Sequence, residues 1–163
     1  MKDYKIPFYD LGEVSLEHAF SIVFGEETLI ETHGDSLKTS PWQDYKRTSD
    51  FYIHIDGVLW ALRHFIKSGL HVTVHQTLNQ SNETWKVSNQ IQMHFIGSRF
   101  FKISSEFELI LRDNNVFLTG NLQCNAKLLP PLNSIAEKFM IKKSKHELDI
   151  YTEIITKKFN SNV

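Results

Sequence analysis

The stretch Trp85-Lys-Val-Ser-Asn-Gln-Ile-Gln-Met-His-Phe95 decides how the rest of the chain is read. Trp85, Val87, Ile91, Met93 and Phe95 alternate there with polar residues. Period two over about ten residues describes a strand with one apolar face and one wetted face. The same alternation recurs at Phe101, Ile103, Phe107, Leu109 and Leu111, and again at Val116, Leu118, Leu122, Cys124 and Ala126. Sheets that leave one face in water are antiparallel. Their apolar face needs a cover, and the long helical candidate is Leu132–Phe159. An α+β domain follows, in which a curved antiparallel sheet grips one C-terminal helix and encloses a pocket.

Working outward, Tyr4–Leu11 reads as a first strand with a proline at its edge. Ser15 caps a short helix, Leu16–Phe24, that Gly25 stops. Glu26–Ser40 has no clear period. Further strands are expected at Thr48–Ile55 and Leu70–Leu78, a polar loop at Asn79–Glu83 and a tight turn at Asp113-Asn114-Asn115. Pro130-Pro131 ends the sheet, and Asn133 or Ser134 caps the last helix. The apolar stripe of that helix is read as Leu132, Ile135, Phe139, Ile150, Ile154 and Ile155, with Met140 and Tyr151 nearby. Lys142, Lys143, Lys145 and His146 interrupt it; they form a solvated face, or one basic group turns toward a ligand headgroup.

The 163 residues suit one domain, residues 1–163, able to bury a substantial core. A formal net charge of −1 argues against a nucleic-acid partner, which a basic excess would serve. The single cysteine, Cys124, has apolar parity and reads as a buried thiol. Neither a signal-peptide run nor an apolar run of about 18 residues is present, so a cytoplasmic protein is expected, peripheral on membranes at most. A monomer is expected.

Catalytic and metal motifs are missing: no HExxH, CxxC, phosphate-binding glycine loop or GxSxG occurs. His71 and His75 share a strand face but stand roughly 13 Å apart, too far for one zinc ion. His54 and His94 also fall on polar faces, and nothing in the spacing favours a dyad of Glu106 with His94. No catalytic residue, metal or cofactor is therefore expected. Asn89 and Ser105 are polar residues of apolar parity; backbone or water satisfies them, or they orient a ligand in an apolar pocket. Val58–Lys67 places Val58, Leu59, Leu62, Phe65 and Ile66 on one helical face, with Trp60 and basic residues around the rest. It is either a packed connector or a lid that touches a membrane. Phe95 to Phe101 forms a second aromatic lip.

From Glu13 to Phe159 the order of these features resembles the START-like, helix-grip superfamily, and within it the VASt lipid-binding domains. The resemblance rests on the helix at Phe20–Phe24, on Ser40-Pro41-Trp42 followed by Arg47 and Tyr52, and on Val72-Thr-Val-His-Gln-Thr-Leu78. It implies a lipid-sized cavity between sheet and helix, and binding or intermembrane transfer of a sterol or phospholipid. The family's short proline-rich loop is replaced here by Val58–Lys67, and its companion membrane-binding domain and anchor are not part of this sequence. Transient membrane contact is the expected mode. Cavity lining is assigned to Trp85, Asn89, Met93, Ser105, Phe107, Leu109, Leu122, Phe139 and Ile150. Leu59, Trp60, Leu62, Phe65, Ile66, Phe95 and Phe100 are assigned to the mouth or lid. The alternatives are an enzyme resembling the polyketide cyclase or aromatase branch, and a filled-core interaction module without a ligand. A titratable group inside the cavity would distinguish the enzyme.

Overall fold

The computed structural model describes residues 1–53, 69–95 and 97–161. The segment proposed as lid or connector, with Leu59, Trp60, Leu62, Phe65 and Ile66, lies outside the described residues, as does His54. The elements run β1 (Lys2–Asp10), α1 (Leu16–Val23), α2 (Glu26–His33), β2 (Lys38–Thr39), β3 (Lys46–Ile53), β4 (Leu70–Gln80), β5 (Thr84–His94), a short 3-10 turn (Ser98–Phe100), β6 (Phe101–Arg112), β7 (Asn115–Ala126) and α3 (Leu132–Ser161).

Among the described residues seven strands form one antiparallel sheet in the order β1-β7-β6-β5-β4-β3-β2. Alternation set the faces as expected. Val87, Leu109, Val116, Leu118, Leu122 and Cys124 are sealed inside, whereas Gln90, His75 and His94 face out. Asp113 and Asn114, at φ 48° and 68°, make the two-residue turn between β6 and β7. Both central residues of such a turn need positive φ, which Asn and Asp tolerate. At Gly120, opposite Phe107, a Cβ would stand 2.2 Å from the Glu106 carbonyl oxygen. Only glycine allows the strands to close there, next to the irregular register of β1 between Ile6 and Tyr9.

Ser15 caps α1, its hydroxyl accepting from the His18 amide at 3.1 Å. Gly25 ends α1 and opens α2 in one residue; a Cβ there would lie 2.2 Å from the Ser21 carbonyl oxygen. α2 was unassigned from sequence because Glu-Glu-Thr-Leu-Ile-Glu-Thr-His carries only Leu29 and Ile30 as apolar residues. α3 lies across the open side of the sheet, completing the helix-grip fold. Its buried face differs from the expected stripe: Glu137, Met140, Tyr151, Thr152, Ile155 and Phe159 are buried, whereas Leu132 and Ile135 are 58% and 50% exposed. Ile155, with Met140 and Tyr151 beside the stripe, is buried as expected, but Glu137 and Thr152 share that face while the stripe's first two residues lie outside it. Asn133 and Ser134 lie within the first turn rather than capping it. No helix among the described residues is long and apolar enough to cross a membrane.

Candidate functional site

The inner face of the sheet is packed most completely at one end. There α1 and the end of α3 close over Leu78, Val87, Leu109, Val116 and Leu118, with Ile155 and Phe159 packed against them. A second cluster seals Ile103, Leu122, Cys124 and Ala126 beneath Met140 of α3, and beside these packed regions, toward β3 and β4, lies a cavity of about 180 Å3. Its buried walls include Phe24, Leu29, Phe51, Val72, Val74, Ile103, Phe107, Leu122 and Tyr151. Half-buried Thr32, His33, Ile53, Met93, Ser144 and Glu147 bound its more open side.

One register row crosses the cavity wall as a polar ladder. Arg47, Gln76, Asn89 and Ser105 are paired neighbours on β3, β4, β5 and β6, and all four are buried. Arg47 Nε donates to Gln76 Oε1 at 2.7 Å, Gln76 Nε2 to Asn89 Oδ1 at 2.8 Å, and Asn89 Nδ2 to Ser105 Oγ at 2.9 Å. A buried polar group without a partner costs about 1–3 kcal/mol, so the row is stable only as a connected set. Arg47 anchors it. Its Nη1 donates to the Phe24 carbonyl at the end of α1 at 2.7 Å, and its guanidinium lies 4.6 Å from the Trp42 ring centre. Trp42 rests on Phe20, and Phe20 on Trp85, so aromatic packing holds the guanidinium in place. Burial lowers Arg47 to about 10, which leaves it charged at neutral pH. Arg47 Nη2 is buried without a partner among the described residues.

The other polar groups come from the helices. His33 stacks on Phe51 at 4.0 Å, and burial lowers it to about 4, so it is neutral at pH 7. Burial raises the Glu147 carboxyl above its ordinary value, against the smaller opposing effects of His146 and Lys143. Tyr151 commits its hydroxyl to the Val23 carbonyl at 2.5 Å, and burial raises its pKa. Cys124 is buried and raised to about 11, an unreactive thiol.

Of the residues assigned to the cavity from sequence, Asn89, Met93, Ser105, Phe107 and Leu122 line it. Trp85 packs on Phe20 and Leu109 is sealed in the filled end; Phe139 and Ile150 are half-buried on α3 away from the lining. The α3 residues that do face it are Ser144, Glu147, Leu148 and Tyr151, so the helix presents an acid rather than one of the neighbouring bases. Of the mouth residues, Phe95 packs against Phe101 at 5.5 Å, and Phe100 is 38% exposed beside Arg99. Sequence reasoning missed Gln76 as a wall residue and Arg47 as its anchor, although inward parity at Val72, Val74 and Leu78 marks Gln76 directly. His33 had no signal, because its helix had none.

The histidines of the outer face form a separate group. His71 stacks on His94 at 4.4 Å, and Asp50 accepts from Thr73 at 2.5 Å and lies 3.1 Å from His71 Nε2. Glu106 pairs with Lys86 at 2.8 Å rather than with His94. Among the described residues no group of three or more His, Cys, Asp or Glu side chains is placed to hold a metal ion.

No protein-family model and no curated protein matches the sequence. Solved structures do match along the full chain. A conserved protein of Geobacillus kaustophilus is similar over 98% of this chain and 96% of its own, with a TM-score of 0.60 at 12% identity. The Thermus thermophilus protein TTHA0849 is similar over 99% of both chains, with a TM-score of 0.62 at 7% identity. The Mll3558 protein of Rhizobium loti covers 94% of this chain and 96% of its own, with a TM-score of 0.52 at 14% identity. At these identities the likeness establishes a shared fold: a curved antiparallel sheet with a long C-terminal helix laid across it.

Proposed function

We propose that this protein binds a hydrophobic small molecule, a sterol or a single lipid, in the cavity between the sheet and α3, and carries it between membranes. The observation that carries the reading is the unfilled part of the inner face: about 180 Å3 walled by apolar side chains with one row of fixed polar groups. Binding sites have this composition, a mostly apolar lining with a few placed polar contacts. The volume is below the roughly 300 Å3 at which drug-sized sites begin, so a sterol enters as α3 and α2 move apart at the half-buried rim.

Transient membrane contact is part of the proposal. Leu129, Leu132 and Ile135 are exposed at the start of α3, and Lys127 is tied to Phe100 by a backbone hydrogen bond of 2.7 Å. Apolar side chains with adjoining bases (here Arg99, Lys127 and Lys138) suit a shallow headgroup-level contact. The narrower VASt-like assignment draws support from the meeting of its sequence landmarks: Phe20, Trp42, Arg47 and Gln76 form one contiguous cluster.

An enzyme on the same fold is the second reading, favoured by His33 and Glu147, two titratable groups at the cavity. Neither hydrogen-bonds to another side chain among the described residues, which suits a carrier better than an acid–base pair.

Native mass spectrometry after mixing the protein with liposomes of sterol and mixed phospholipids tests the carrier reading. A one-to-one adduct that Ile91→Phe abolishes is expected. A folded protein without any adduct across these lipids would sink the reading and bring the enzyme forward.

A further inference from the structure

The ladder has a direction, and the direction selects a ligand. A guanidinium has donors only. Arg47 therefore fixes Gln76 with its oxygen toward β3 and its amide nitrogen toward β5. That nitrogen obliges Asn89 to present its oxygen to Gln76 and its nitrogen to Ser105. The usual ambiguity of amide orientation is removed, because reversing either side chain would put donor against donor. At the end of the row Ser105 Oγ can only accept from Asn89. Its own O–H has no acceptor among the described residues, and Ser105 lines the cavity. Gln76 and Asn89 each hold a second N–H as well. The charge on Arg47 polarises the chain of donors and strengthens the last one.

We infer that the cavity selects a ligand bearing a neutral carbonyl oxygen, which the Ser105 hydroxyl binds at the end of the Arg47–Gln76–Asn89 relay. This inference rests on the reading of the cavity as a ligand site. A carboxylate ligand fits less well. Glu147 is the ionisable acid among the lining residues, and Arg47, the nearby cation, is not in the lining.

The relay can be reversed with little change of shape. In Gln76→Glu the introduced carboxylate accepts from Arg47 and also requires a donor from Asn89. Asn89 must then turn its oxygen to Ser105, and the Ser105 O–H is consumed. The experiment is an NMR titration of wild type, Gln76→Glu and Ser105→Ala with three probes that share one tricyclic skeleton: fluorene, 9-fluorenone and 9-fluorenol. Wild type should bind fluorenone about tenfold more tightly than fluorene, the usual worth of one such hydrogen bond. Both variants should lose that ratio while holding fluorene within about threefold, and Gln76→Glu should now favour fluorenol over fluorenone. Ser105→Ala, the smaller change, keeps the test decisive if Gln76→Glu does not fold. A fluorenone-to-fluorene ratio near one in wild type, or a tenfold ratio unchanged in a folded variant, overturns the inference and leaves the cavity reading standing. Failure of wild type to bind fluorene or fluorenone overturns both.

Discussion

Leu109 and Ile91 sit on adjacent strands and point to the same side of the sheet. Leu109 is sealed among α1, β7 and the end of α3, whereas Ile91 borders empty space. The two halves of the inner face follow one parity rule and differ in what stands opposite. At the filled end Leu, Val and Phe from α1, β4, β5, β6, β7 and α3 interdigitate. At the cavity α3 presents Ser144 and Glu147, too short or too polar to fill the gap, and the ladder row runs along the facing wall. Alternation determines which way a side chain points; depth of packing depends on its partner across the core. Cores of the first kind confer stability, and unfilled ones leave room for a ligand.

The sharpest way to break this comparison is to truncate both ends. Leu109→Ala should cost about 3 kcal/mol, since the site is fully enclosed and cannot collapse. Ile91→Ala should cost about 1 kcal/mol, because its side chain already lacks neighbours on one side. Urea denaturation of the two variants measures the contrast. Equal losses would mean that the hollow end is packed in solution.

The next effect is the response to acid. His33 is held near 4 in the folded protein and titrates near 6.5 when unfolded. Between those values the unfolded chain binds the extra proton. Stability from this group is therefore complete above about pH 7, falls as the pH drops toward 4, and levels off below. The loss should amount to about 2 kcal/mol after allowance for the partial exposure of the ring. His33→Phe keeps the stacking on Phe51 and should flatten this part of the pH–stability curve. An unchanged slope would place His33 in water rather than at the cavity wall.

How much of this was legible follows from the same contrast. Strand alternation located β5, β6 and β7 nearly to the residue and put Asn89, Ser105, Phe107 and Leu122 on the inner face. It also carried the information for Gln76, which shares parity with Val72 and Val74. The helix that covers them was legible in position and only partly in rotation: Ile155, Met140 and Tyr151 are buried. Its inward face includes buried Glu137 and Thr152 and half-buried Ser144 and Glu147, while Leu132 and Ile135 are exposed, so a search for an apolar stripe selected Phe139 and Ile150. A helix over a cavity has no requirement for an apolar residue at every inward turn. α2 escaped for a related reason: only two apolar residues mark it, and its contribution to the site is a polar one, His33.

The smallest expected change in stability is the most informative about function. Ile91→Phe adds a ring where space already exists, so overpacking should be mild and the net change within about 1 kcal/mol of zero. The same enlargement at the filled end, Val87→Phe, has no space to enter and should cost about 2 kcal/mol or more through strain. Thermal unfolding separates the two, and binding reverses their order. Ile91→Phe should eliminate lipid adducts while leaving the fold intact. Val87→Phe, where it folds, should retain them, because the residue lies outside the cavity lining. Adducts that survive Ile91→Phe would show that lipid is held elsewhere, on the exposed apolar start of α3 rather than beneath the helix.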